Sequence, residues 1–192
     1  MKHRVGHILT DNYVIHDLED LPSLCESNYL YQDLTFDGCD YRDYEFEDDI
    51  KFSDCHFDHV DFRGARLGCH FQNCIFEFCD FTGANMQLAT TLTSVFEHCV
   101  GILRLPVGDE RGYDCMAVRT KDGFWKILAG CRWYSINEAL QHWGVGSNWH
   151  RYPHVAKRYV RAVTMLADGE FSETDTWKDL QKKIQNTIYI YD

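Results

Sequence analysis

Large apolar residues recur through the first half of the chain at Tyr31, Phe36, Tyr41, Phe46, Phe52, Phe57, Phe62, Leu67, Phe71, Phe76, Phe81 and Met86, five residues apart almost throughout. A second, smaller series sits two residues before each centre: Leu34, Cys39, Tyr44, Ile50, Cys55, Val60, Ala65, Cys69, Cys74, Cys79 and Ala84, fading through Ala89, Ser94 and Cys99. Neither the two-residue period of a strand nor the 3.6-residue period of a helix places both series on one side. A chain that bends after every five residues does, because each short segment points the same two side chains inward. The step of six from Phe46 to Phe52 and the step of four from Leu67 to Phe71 cancel, predicting one local bulge and one local deletion.

The units themselves share a pattern of small residue, Asp or Asn, large apolar centre and two variable residues. Cys39-Asp40-Tyr41-Arg42-Asp43, Val60-Asp61-Phe62-Arg63-Gly64, Cys79-Asp80-Phe81-Thr82-Gly83 and Ala84-Asn85-Met86-Gln87-Leu88 fit it well. Over roughly residues 29 to 101 the chain resembles the pentapeptide-repeat family. The resemblance implies a mainly β fold: a short right-handed quadrilateral parallel β-helix, with one pentapeptide per face and about twenty residues per coil, followed by a small α+β module. Four faces then stack Tyr41, Phe62 and Phe81; Phe46, Leu67 and Met86; Tyr31, Phe52 and Phe71; and Phe36, Phe57, Phe76 and Phe96. Three and a half coils at about 4.8 Å each give a rod of about 17 Å. Solenoid ends need covering, and residues 1–28, with Val5, Ile8, Leu9, Tyr13, Val14 and Ile15, are the expected N-terminal cap, ahead of a β-helix over 29–102.

Beyond Cys99 the five-residue period stops, and residues 103–192 read as the α+β module. Tyr113–Arg119 and Phe124–Tyr134 predict a β-hairpin around Lys121-Asp122-Gly123. Ser135-Ile136-Asn137-Glu138 is a capping-box sequence for a helix ending near Gly144. Pro153 opens a helix to Ala167, a third runs over 173–187, and Ile188–Tyr191 suggests a final strand. The segment Gly130–Leu140 loosely resembles C-terminal extensions of phage pentapeptide-repeat proteins.

Composition matters chiefly through where the charge lies. The formal net charge is -11, but residues 11–61 hold 16 acids against Arg42 and Lys51 alone, so the remainder of the chain is weakly positive. Such a balance argues against direct binding to nucleic acid or to an anionic membrane. No stretch approaches the roughly 18 to 20 apolar residues of a membrane span, and the opening residues lack a signal-peptide core, so a cytoplasmic setting is expected. There, the nine cysteines are expected as thiols. Six of them (Cys39, Cys55, Cys69, Cys74, Cys79 and Cys99) occupy the small-residue slot, where free cysteine behaves as a small buried hydrophobe.

Zinc is the rival for those thiols, with His56, His59, His70 and His98 nearby, but zinc ligands pair at spacings that Cys69, Cys74 and Cys79 lack. His142, His150 and His154 with Cys115 and Cys131 carry no flanking signature of a nucleophile pair. Trp133, Trp143, Trp149 and Tyr152 read as core or interface aromatics. Lys157, Arg158 and Arg161 read as a solvated face, with contact to the acidic coils as the alternative. No enzyme, metal or cofactor is expected.

Aromatic residues run through the acidic stretch, so its carboxylates must be mounted on a folded scaffold. Asp37, Asp40, Asp43, Glu45, Glu47, Asp48, Asp58 and Asp61 fall in outward slots, with Asp49 in the bulge and Asp54 beside it. Carboxylates fixed at strand spacing are comparable with DNA phosphates. Pentapeptide-repeat proteins include DNA mimics that bind DNA-handling enzymes, so the resemblance implies an inhibitor of a complex with a basic DNA channel, a CRISPR effector or a type II topoisomerase. The other reading is an adaptor whose C-terminal module binds a protein while the β-helix acts as a spacer, that module also offering a route to a homodimer.

Overall fold

A computed structural model describes residues 8–9, 14–16, 30–46, 48, 50–107, 114–130, 132–144, 152–172, 175 and 177–188. The five-residue units wind into a four-sided parallel β-solenoid. Its first face stacks β1 (Ile8–Leu9), β3 (Leu30–Gln32), β6 (Lys51–Ser53), β9 (His70–Gln72) and β11 (Thr90–Leu92). The second stacks β2 (Val14–Ile15), β4 (Thr35–Asp37), β7 (His56–Asp58), β10 (Ile75–Glu77) and β12 (Val95–Glu97). Single parallel bridges Asp40–Asp61–Asp80–Val100 form the third face, and β5 (Glu45–Phe46) with β8 (Arg66–Leu67) and the Arg66–Asn85 bridge form the fourth. Of the expected N-terminal cap, the described strands prolong the coils: Ile8 and Leu9 pair with Leu30 and Tyr31, and Val14 and Ile15 with Thr35 and Phe36.

Each strand is only two or three residues long because the following corner turns the chain by about a right angle. Three corners per coil use a residue with positive φ two places after the centre, among them Asp33, Gly38, Asp43, Asp54, His59, Phe78 and Gly83. Both irregular steps fall at the fourth corner, in successive coils. The long loop after Phe46 overhangs the short one after Leu67, where a Cβ on Gly68 would lie 2.1 Å from Asp48 Oδ1 and 3.2 Å from its Cα. The bulge therefore requires the glycine beneath it.

The interior is a ladder of rings. Phe36, Phe57, Phe76 and Phe96 stack with centroids 4.5, 4.7 and 4.6 Å apart and planes within 9°. Tyr31, Phe52 and Phe71 repeat the arrangement at 5.2 Å. Thiols fill the gaps between ladders: Cys55 Sγ lies 3.4 Å from the Tyr31 carbonyl, and Cys79 Sγ 3.3 Å from that of Phe57. Cys69, Cys74 and Cys79 sit on three successive faces, as their spacing requires. Burial pushes the Cys69 thiol up, and the adjacent Cys99 thiol, together with burial, does the same to Cys79. Cys74 is shifted the other way, its thiolate favoured by the Cys55 thiol, but alkylation also needs access, so the seven described cysteines, all buried, are expected to resist iodoacetamide in the folded chain and to label promptly in denaturant. Labelling of any of the seven at the rate of an exposed thiol, followed by peptide mapping, would contradict this packing.

The C-terminal half is joined to the coils through a sheet. Strands β13 (Ile102–Arg104), β14 (Cys115–Arg119), β15 (Trp125–Ala129) and β16 (Arg132–Ser135) form an antiparallel sheet in that order. The expected hairpin is present, but the stretch read as one strand over 124–134 is two, broken at Gly130 (φ 61). Alternation along β14 decides the architecture. Met116 and Val118, with Ile102 and Leu128, belong to the coil core, whereas Cys115, Ala117, Leu103 and Ile127 belong to a second core under the helices. The sheet is thus the lid of the solenoid and the floor of the helical layer.

That layer contains α1 (Ile136–Trp143), α2 (Pro153–Ala167) and α3 (Trp177–Ile188). Ser135 and Glu138 form the predicted capping box, and Pro153 stands at the first turn of α2. Ile188, assigned from the sequence to a last strand, instead ends α3; residues 189–191 lie outside the described residues. Trp143 stacks on Tyr159 with centroids 4.2 Å apart, a core contact between α1 and α2.

Candidate binding surface

The acids that the sequence gathers into one surface fall on different faces with different fates. On the third face Asp40 and Asp61 close their corners: each side chain accepts the backbone N–H two residues on, from Arg42 (3.1 Å) and Arg63 (3.0 Å). Asp80 and Asn85 do the same for Thr82 (2.8 Å) and Gln87 (3.0 Å). These four side chains, each one place before a centre, are therefore turn formers. Arg42 also pairs with Asp40 and approaches Asp61 (3.6 Å), and Arg63 pairs with Asp61 (2.5 Å) and approaches Asp80 (3.8 Å). Hydrogen bonds from Arg42 hold the Asp40 carboxyl down at about 2, and those from Arg63 hold Asp61 low against its partial burial.

Glu45 pairs with Arg66 across the coils at 2.5 Å. Asp43 receives Lys121 at 2.7 Å, whose chain runs over the glycine corners at Gly64 and Gly83. Lys121 belongs to the hairpin turn, so it makes a contact between the C-terminal module and the acidic coils. In the basic group of α2, Lys157 is exposed, while Arg158 donates to the Val107 carbonyl (3.4 Å). Five carboxylates (Asp40, Asp43, Glu45, Asp61 and Asp80) are thus matched by four cations. Asp54 is held at its corner by Ser53 (2.7 Å) and Asn73 (3.2 Å), and Asp48 is exposed above Gly68. Glu47 and Asp49 lie outside the described residues, as do Cys131, Trp149 and His150.

The second face differs. Its registers align Asp37 with Asp58, Asp58 with Glu77 and Glu77 with Glu97. Four carboxylates therefore form a column along the rod, about 4.8 Å per step. Their neighbours are histidines: His16 lies 3.7 Å from Asp37, His59 2.7 Å from Asp58 and His56 2.7 Å from Glu77. No lysine or arginine ion pair to this column is found among the described residues. Sequence reasoning included Asp37 and Asp58 but missed Glu77 and Glu97, which lie beyond the acid-rich stretch. Following each residue through successive coils would have found them, because both occupy the slot one past a centre.

Of the histidines and cysteines that carry no nucleophile-pair signature in the sequence, Cys115, His142 and His154 are among the described residues. Cys115 is buried in the sheet. The His142 ring stacks on Tyr134 at 5.0 Å, and desolvation with nearby Arg132 keeps it below the usual imidazole range. No helix among the described residues is long and apolar enough to cross a membrane.

Residues 48–89 match the family model for pentapeptide repeats in eight copies. Residues 48–89 are pentapeptide repeats. That assignment supports a structural or protein-interaction role for them. No curated protein matches the chain in sequence. Among solved structures, the chain is similar to Rfr23, a pentapeptide repeat protein from the cyanobacterium Cyanothece 51142. The identity is 12%, the match covers 37% of this chain and 59% of that one, and the TM-score is 0.20.

Proposed function

We propose that the chain is a non-enzymatic binding protein that occupies the basic DNA channel of a DNA-handling complex in place of DNA. It would be an inhibitor of the kind a phage directs at a host CRISPR effector or type II topoisomerase. The observation that carries this reading is the in-register column Asp37–Asp58–Glu77–Glu97, which no arginine or lysine of the described residues neutralises. Held on paired strands, these charges need no reorganisation when they meet a cationic surface. The ion-paired acids of the third and fourth faces contribute mainly to the scaffold.

The adaptor reading draws less support, because the coils share a core with the C-terminal sheet and are not a separable spacer. The test uses a purified type II topoisomerase and a purified CRISPR effector, each loaded with labelled duplex DNA. The chain is expected to displace DNA from one of them, less so as salt rises. The variant carrying Asp37→Lys, Asp58→Lys and Glu77→Lys should lose that displacement. Undiminished displacement by this variant, or none by the natural chain from either complex, would sink the proposal.

A further inference from the structure

A surface that only replaced DNA would have no use for exposed aliphatic and aromatic side chains, yet the carboxylate column is bordered by them. Ile75 and Val95 lie in register on the same face, one position before the centres, and are 43% and 38% exposed. At the adjoining corner Phe78, 52% exposed, is stacked between His59 (4.9 Å) and His98 (5.0 Å). Val100, 45% exposed, continues the patch at the start of the third face. Four of the eight large apolar residues exposed among the described residues thus border one end of one column, a clustering that marks interaction surfaces.

At that same end the face runs into a cavity of about 150 Å³ between the last coil, the sheet and α3. Val95, Leu103 and Leu180 line it together with Glu97, Arg104 and Asp175. Its volume suits one large apolar side chain, and Glu97 is both the last rung of the column and part of its wall.

We infer that this face is the docking surface of a basic amphipathic helix on a partner protein, laid along the column with an apolar side chain anchored in the cavity beside α3. This rests on the reading that the acidic column meets a basic surface, and names the element that meets it. The spacing favours a helix. One helical turn advances 5.4 Å against about 4.8 Å per coil, so over three steps the mismatch grows only to about 2 Å, within the reach of lysine and arginine. Same-side residues of an extended strand stand about 6.7 Å apart, so their mismatch grows to about 4 Å at the third rung and about 6 Å at the fourth. The four rungs span about 14 Å, which calls for about eleven helical residues, cationic at i, i+3 or i+4, i+7, and i+10 or i+11. An apolar stripe beside those cations then falls on Ile75 and Val95.

The probe is a fluorescent fourteen-residue helical peptide of about this pattern, lysines on one stripe and leucines on the next, measured by anisotropy against the full chain. A scrambled peptide of equal composition and an oligolysine serve as comparators. The striped peptide is expected to bind about tenfold more tightly than the scrambled one. The double variant Ile75→Ser, Phe78→Ser should remove that advantage while leaving oligolysine binding unchanged. Val95→Thr, which keeps the β-branched shape, should do so in part, and covers the case in which the double variant does not fold. Equal binding of striped and scrambled peptides, or full retention of the advantage in both variants, overturns the helix while leaving the electrostatic reading intact. Failure of every basic probe at low salt overturns both.

Discussion

Replacing Phe57 by alanine is expected to cost about 3 to 5 kcal/mol, a large share of the roughly 5 to 15 kcal/mol that holds a domain together. Phe57 is 1% exposed and lies face to face with Phe36 at 4.5 Å and Phe76 at 4.7 Å. Phe52 (5.4 Å) and Phe71 (5.7 Å) meet it edge-on from the neighbouring ladder. Removing the ring leaves a void between coils that cannot collapse, since strand pairing above and below fixes the coil spacing. In a solenoid each coil is stabilised only by its neighbours, so a defect in the second complete coil also loosens the first from the third. Urea unfolding followed by circular dichroism should show the loss, and for a chain of this size thermal unfolding should shift down by about 6 to 20 °C. Phe57→Leu, which refills most of the space, should cost well under half as much. A loss below about 1 kcal/mol for Phe57→Ala would mean that the rings are not a cooperative stack.

Much of this core was legible in the sequence because a five-residue bend leaves so few inward positions. The centre and the residue two before it are the only slots that face in, and every predicted column is a column in the structure. The compensating steps around Phe46 and Leu67 were legible as a bulge and a deletion. That they fall at one corner, and that Gly68 exists to admit the overhanging loop, depends on stacking one coil on the next. Residues 124–134 misled because Gly130 was the only break in an otherwise apolar, strand-like run, and a single glycine with positive φ was enough to turn it.

The candidate surface was half legible for a similar reason. Local charge density pointed to residues 37–61, but density along the chain is not density in space. Asp40 and Asp61 look like exposed acids in sequence, whereas their position before a centre makes them turn formers, with arginines two residues on to pair them. Glu77 and Glu97 look isolated in sequence and complete the column only after the coils are stacked. Charge in a solenoid must be read down columns about twenty residues apart, where the strands place it, rather than in runs.

The sheet over the last coil leads to the other large expected effect. Val118 is fully buried and belongs to the coil core, although it lies in the C-terminal half and its strand neighbour Ala117 faces the helices. Val118→Asp would place a carboxylate against the coil core with no cation to meet it, a loss of about 4 kcal/mol or more. The sheet could then lift from the coil, leaving the strand ends around Phe96 and the backbone at Gly83, whose N–H donates to the Arg119 carbonyl at 2.7 Å, open to water or to another chain. Hydrogen exchange should therefore show protection lost in the coils nearest the sheet as well as in the helices, with a greater tendency to self-associate. Ala117→Asp should instead strike the helical core first and leave the earlier coils protected. If Val118→Asp melted the helices while every coil stayed protected, the two halves would be independent domains and the shared core no more than a contact. Loss of both together would show that the solenoid is closed by the module that follows it.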